Sequence, residues 1–229
     1  MSLMRAMNAK TGRYYVFMEI VFILAIFLII WWILDLFLTP LWLRVATHTL
    51  MILLPLAVLF LKRKNIVEYG FKPRDLRFSL IVGITFSMIL LLLPSGYLLI
   101  TGKFRLPEFT ITFWIYTVIN AFIVIGFPEE FLFRGYMQTR LNDELNKPFV
   151  SGEIEFGWGL IIASLIFGFL HVLNPFNPLK GRFVFDWLSI TWTTLAGFVF
   201  GFLREQTEDI LAPTIVHGAI DFALSLIHI

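Results

Sequence analysis

Four ionisable side chains, Glu129, Glu130, His171 and His217, lie in stretches otherwise apolar enough to be membrane helices, and Asp221 follows His217 by one helical turn. A charge at bilayer depth costs about 2.5 to 3.5 kcal/mol on insertion scales, so such groups face a protein interior or a water-filled cavity and are read first as functional. Carboxylates and imidazoles held together there can activate water, relay protons or ligate zinc. In "PEEFLFRGY", Glu130 and Arg134 are four apart with the acid on the N-terminal side, which predicts an ion pair on one helix face. Glu129 sits about 100° round the same helix. It has no basic residue three or four positions on, so its carboxylate is left for a partner on another helix. "FGFLH" places Phe167 and His171 on one face near a helix C-terminus, where an imidazole can also cap carbonyls or bond a neighbouring helix. In "HGAID" the spacing lets Asp221 orient or charge the imidazole of His217.

Bulk composition supplies the membrane that makes these groups unusual. Hydrophobic residues are 59% of the 229-residue chain, mean hydropathy is +0.84, and only 15% of residues are charged, against about 25% in soluble domains. The expected fold is an all-α integral membrane protein, a polytopic bundle of about seven to eight transmembrane helices forming one domain over residues 1–229. A net charge of +2 gives no reason to expect nucleic acid as a partner; the lipid bilayer is the expected one. Cysteine is absent, which excludes disulfides, thiolate metal sites and a cysteine nucleophile. The first apolar run has basic residues before it but no small-residue cleavage site, and is read as a retained span. The short, cysteine-free chain suggests a prokaryotic plasma membrane.

The spans that must hold the polar groups are legible. Tyr14 to Leu38, Pro40 to Leu61 and Ser79 to Ile100 are each long enough to cross and are read as scaffold, roughly residues 14–100. Lys62 to Arg77 holds six Lys/Arg, and the N-terminal arm holds Arg5, Lys10 and Arg13; both should face the cytoplasm. A fourth stretch, Thr110 to Phe127, meets Pro128-Glu129-Glu130, which reads as a helix restart with a kink and helix continuing towards Leu145. Asn146 to Glu155 is the best loop in the second half. Apolar stretches follow at Gly157 to Leu173, Val184 to Leu203 and Ile210 to Ile229, separated by "NPFNPLKG" and "REQTED". The catalytic core is thus expected over about 110–229.

Other polar groups in the apolar stretches, Glu19, Asp35, Arg44, His48 and His228, are read as interfacial anchors, helix-packing groups or span ends. Small-residue pairs, Gly197 with Gly201 and Ser164 with Gly168, predict close helix packing. Two other function classes compete with an enzyme. One is a proton-coupled transporter, although no repeated halves are visible; the other is a membrane scaffold whose polar cluster only locks helices.

The order E-E-x-x-x-R (Glu129, Glu130, Arg134), F-x-x-x-H (Phe167, His171) and H-x-x-x-N/D (His217, Asp221) resembles the CAAX protease and bacteriocin-processing family, whose eukaryotic members include the Ras-converting CAAX prenyl endopeptidases. The resemblance covers about Thr110 to Ile229. It implies an intramembrane protease in which Glu129 and His171 activate water while His217, with residue 221, stabilises the oxyanion; Glu130, Arg134 and Phe167 are supporting residues. It also implies a membrane-associated peptide or protein substrate, with prenylated chains among the options. Asp221 departs from the Asn often found there: it either donates as a neutral acid or acts one step back by orienting His217. A metal-free mechanism without cofactor is preferred. Zinc held by Glu129, His171, His217 and Asp221 is the alternative, although no H-E-x-x-H signature is present. If Pro128 onwards and Gly157 onwards form a hairpin, Glu129 and His171 lie about 24 and 21 Å from its turn and can meet. His217 falls about 10 to 15 Å off that level for straight upright helices, a gap to be closed by tilt or by kinks, with Pro213 and the Ala196 to Gly201 segment as the places expected.

Overall fold

A computed structural model describes residues 2–100 and 110–227, with side chains described over 12–92 and 110–225. His228 and the side chains of Arg5 and Lys10 therefore lie outside the described residues. Seven helices are present among the described residues: α1 (Ser2–Phe37), α2 (Pro40–Leu61), α3 (Leu76–Ile100), α4 (Ile111–Leu145), α5 (Trp158–Val172), α6 (Trp187–Thr207) and α7 (Leu211–Ile227). Gly12–Phe37, Pro40–Leu61 and Ile111–Leu145 are long and apolar enough to cross a membrane, and shorter apolar helices accompany them. Large apolar side chains such as Phe22, Phe60, Ile111 and Trp192 point outward, as they do where lipid rather than water is the solvent. The fold is an all-α polytopic membrane bundle.

Local chemistry sets the helix ends. Pro40 opens α2 at a position whose N–H has no intrahelical partner. Thr110 caps α4 by accepting from Phe113 N (3.2 Å), and Asp186 caps α6 by accepting from Ser189 N (3.2 Å). Between α4 and α5 the expected loop is instead a hairpin of β1 (Phe149–Ser151) and β2 (Ile154–Phe156), paired Phe149 to Phe156. Gly152 supplies the positive φ (+63°) of its turn, and Phe149 stacks on Phe156 at 5.4 Å.

Helix α4 organises the molecule. It runs unbroken through Pro128, so the expected restart is absent. Two π-helical segments, Ile119–Gly126 and Phe131–Gln138, flank a single α turn, Phe127–Glu130. Phe127 N bonds Phe122 O five residues back, and this wider winding directly before Pro128 accommodates a residue without an N–H. The small-residue pairs of α5 and α6 interlock as expected: a Cβ on Gly197 would meet Ser164 at 3.2 Å, and one on Gly201 would meet Leu160 at 2.9 Å.

The level gap at His217 closes without kinks. Helix α6 is continuous from Trp187 to Thr207, and Pro213 sits in the first turn of α7, where its missing N–H breaks nothing. Instead, the turn before α7 is recessed into the bundle. Ile210 N donates to Gly70 O (3.0 Å), and Ile210 packs beside Gly135 of α4, ten residues or about 15 Å short of Leu145. From that level Glu129 is six residues along α4 and His217 seven residues past Ile210. Both rise about 9 to 10 Å and meet. The buried polar Asp209, hydrogen-bonded by Ser79 of α3, holds the turn at this depth.

Candidate active site

The one α turn in the middle of α4 presents two acids to different partners, and both are buried. Glu130 Oε1 accepts from Arg134 Nη1 (3.0 Å), the pair expected from the spacing, and also from His217 Nδ1 (2.8 Å). Arg134, 0% exposed, donates from Nη2 to Gly197 O (3.2 Å), and its guanidinium lies 4.4 Å from the Phe167 ring and 5.1 Å from that of Phe200. Aromatic faces and a carbonyl thus complete the surroundings of a charge that water does not reach. Phe167 also packs against His171 at 4.5 Å, and Phe200 stacks on His217 at 4.8 Å and 15°. F-x-x-x-H therefore reads in three dimensions as one ring wedged between the arginine and an imidazole.

Glu129 meets three imidazoles from three other helices. Its Oε1 is 3.2 Å from His48 Nε2 of α2; its Oε2 is 3.7 Å from His217 Nε2 and 3.9 Å from His171 Nε2. Each ring is turned by a bond from its other nitrogen: His48 Nδ1 donates to Arg44 O (2.8 Å), His171 Nδ1 to Phe167 O (2.8 Å), and His217 Nδ1 to Glu130. A carbonyl or carboxylate can only accept, so these three nitrogens carry protons and the three Nε2 atoms converge on Glu129. Oε2 of Glu129 has no hydrogen-bond partner among the described residues. Asp221 Oδ2 in the adjoining cavity is likewise without one, so two carboxylate oxygens are open to a ligand there.

A cavity of about 630 Å³ reaches this point, with Arg44, His48, Asn120, Glu129, His171 and Asp221 as polar lining and Phe27, Trp31, Met51 and Leu170 among the apolar wall. Such a mixture suits a largely apolar ligand fixed by a few polar groups. Asp221 lines the cavity with Oδ2 3.6 Å from His217 Nε2, too long for a hydrogen bond. Glu130 takes the orienting bond at Nδ1, while Asp221 stands at ion-pair distance from Nε2, so of the two expected roles, orienting and charging the ring, the hydrogen bond that orients goes to Glu130. Glu130 is correspondingly more than the partner of Arg134.

Glu129, His171, His217 and Asp221, the expected zinc alternative, surround one point: Glu129 Oε2 is 3.9 Å from His171 Nε2 and 3.7 Å from His217 Nε2, and Asp221 Oδ2 is 3.6 Å from His217 Nε2. The described residues form no group of three or more His, Asp or Glu arranged to hold a metal ion. A water oxygen at about 2.8 Å from Glu129 Oε2 and from either imidazole Nε2 subtends about 83 to 88°.

His48 is the site residue that the sequence reading left among anchors and packing groups. Its one signal was an ionisable side chain inside an apolar span, the same signal that singled out Glu129. Arg44, one turn before it, donates to Asn120 Oδ1 (3.3 Å) on the cavity wall. Glu19 and Asp35 do join helices: Glu19 binds Tyr136 and Arg140 of α4 and Lys62 after α2, while Asp35 binds Asn177, Lys180 and Arg182.

Residues 110–223 match the family described as type II CAAX prenyl endopeptidase Rce1-like. Over 104 residues the chain is 31% identical to uncharacterized protein YpbD of Bacillus subtilis (strain 168), an overlap of 45% of this chain and 41% of that one. The chain thus spans about two fifths of the length of that curated relative. No solved structure matches.

Proposed function

We propose, for a chain that belongs to the Rce1-like family of CAAX prenyl endopeptidases, that it is an intramembrane endopeptidase hydrolysing a peptide bond of a membrane-associated substrate with water activated by Glu129 and His171. The observation that carries this reading is the partnerless Oε2 of Glu129, facing two imidazole Nε2 atoms at the end of a cavity large enough for a peptide segment. Water held between Glu129 Oε2 and His171 Nε2 gives a proton to the carboxylate as its oxygen attacks the carbonyl carbon. His217 donates from Nε2 to the developing oxyanion, which requires the ring to carry both protons; its charge then lies between the carboxylates of Glu130 and Asp221. The protonated Glu129 passes its proton to the amide nitrogen, the C–N bond breaks, and an amine and a carboxylic acid leave.

His48 acts as a positioning residue: with protons on both ring nitrogens it donates from Nε2 to Oε1, so that Oε2 stays turned to the water. Asp221, on the cavity wall, stands where the oxyanion or the substrate backbone would pass. No metal is needed for these steps. The cysteine-free chain and a bacterial relative favour a prokaryotic plasma membrane. The test is incubation of purified protein with prenylated and unprenylated peptides, read by mass spectrometry. Fragments that appear with the wild type and vanish with Glu129→Gln are the expected result; no cleavage of any peptide by folded wild-type protein refutes the assignment.

A further inference from the structure

The two ends of the bundle differ in charge, and the catalytic cavity opens at one of them. One end is built by the α2–α3 connection, the hairpin and the turn before α7. Lys62 to Arg77 alone carries six Lys/Arg there. Arg140 and Lys62 share Glu19, Lys147 binds Glu205 (2.5 Å), and Arg204 reaches Thr139 (3.4 Å), so these cations collect at the same end. At the opposite end the α1–α2 link, Leu38–Thr39, has no charge. Lys180 and Arg182 of the α5–α6 connection are both held by Asp35, and the sequence between α3 and α4 adds Lys103 and Arg105.

Short loops rich in Lys and Arg stay in the cytoplasm. Orientation therefore follows from internal connections alone, and the Lys62–Arg77 end is the cytoplasmic one. The cavity around Glu129 is lined by Pro40, the first residue of α2, by Asn174, just past the end of α5, and by Leu224 and Ser225 near the end of α7. All four belong to the opposite end. His48, which touches Glu129, is eight residues or about 12 Å from Pro40 but thirteen residues or about 20 Å from Leu61. His48 and His171 thus lie toward the non-cytoplasmic ends of their helices, beside Glu129 at the middle of α4.

We infer that the catalytic cavity opens on the non-cytoplasmic face, and that its substrate is a peptide segment presented there by an exported, membrane-tethered protein rather than a cytoplasmic prenylated C-terminus. The orientation stands on charge and geometry; the substrate rests on the proteolytic reading above. An apolar wall beside a few polar groups suits a chain that enters along the outer leaflet.

Because the chain has no cysteine, single substitutions report on sidedness without background. Asn174→Cys at the cavity rim, Phe183→Cys in the exposed α5–α6 connection and Lys72→Cys in the basic connection are treated in intact cells with a membrane-impermeant maleimide. Positions 174 and 183 should label as fully in intact as in permeabilised cells, and position 72 only after permeabilisation. The reverse pattern overturns the inference, whatever the enzyme's activity. A second arm fuses the best-cleaved peptide of the panel to a membrane span on either side. Cleavage confined to the outward-facing reporter is expected, and cleavage confined to the cytoplasmic one overturns the substrate assignment. With labelling as expected and neither reporter cut, the substrate assignment falls while the orientation, and the proteolysis already read from the peptide panel, stand.

Discussion

Replacing Glu130 with Gln removes one negative charge from a position with 0% exposure and leaves the shape nearly unchanged. The wild-type oxygen accepts two charge-assisted bonds, from Arg134 at 3.0 Å and His217 at 2.8 Å, each worth about 1.5 to 3 kcal/mol. Removing one member of a buried ion pair typically costs about 3 to 5 kcal/mol because the remaining charge is uncompensated. Arg134 keeps the Gly197 carbonyl and the faces of Phe167 and Phe200, which places the expected loss near the lower bound, about 3 kcal/mol. At about 2 to 4 °C per kcal/mol for a chain of this size, the thermal midpoint should fall by about 6 to 12 °C. Activity should fall separately. His217 loses the carboxylate that sets its orientation, and a charge-assisted bond worth about 1.5 to 3 kcal/mol corresponds to about 10- to 150-fold in rate. The assay pairs a thermal scan in detergent with single-turnover cleavage well below both midpoints, where only the second effect is read. A lower midpoint with wild-type turnover would confine Glu130 to the Arg134 pair; a wild-type midpoint would show that the charge is not needed where the geometry puts it.

Glu129→Gln should cost about 10² to 10⁴ in cleavage rate with little change in thermal midpoint, and near-normal turnover would remove Glu129 as the base. His48→Ala should reduce turnover more than stability, and His48→Gln should recover part of it because an amide N–H can still donate to Glu129 Oε1; equal losses in both variants count against a positioning role. Asp221→Asn should keep substantial activity. Asp221→Ala should lose about 2.7 to 4 kcal/mol of transition-state stabilisation if residue 221 donates to the oxyanion directly, and indistinguishable rates for all three side chains would take it out of the chemistry. Protein stripped with chelator and shown metal-free by elemental analysis should retain its turnover, whereas loss restored by stoichiometric zinc would overturn the metal-free mechanism.

What could be read from the sequence was whatever helix geometry fixes over three or four residues. Glu130 with Arg134, Phe167 beside His171 and the small-residue pairs of α5 and α6 all stand as their spacing requires, because neighbours one turn apart on a helix meet whatever the rest of the chain does. Apolar runs of sufficient length likewise determined the membrane bundle, since backbone polar groups in lipid must be satisfied within a helix. Tertiary packing decided the rest. Glu130 and His217 are 87 residues apart in sequence and Glu129 and His48 are 81, so no local spacing links them, and a lone histidine in α2 gains a role only when α2 lies against the middle of α4. Pro128 looked like a restart because a missing N–H breaks an α ladder, but π winding directly before it removes that demand. His217 reaches the level of Glu129 because a buried turn, tied by Ile210 to Gly70 and by Asp209 to Ser79, starts α7 well inside the bundle. Depth of this kind depends on which backbones approach closely, a property of packed surfaces that one-dimensional spacing does not carry.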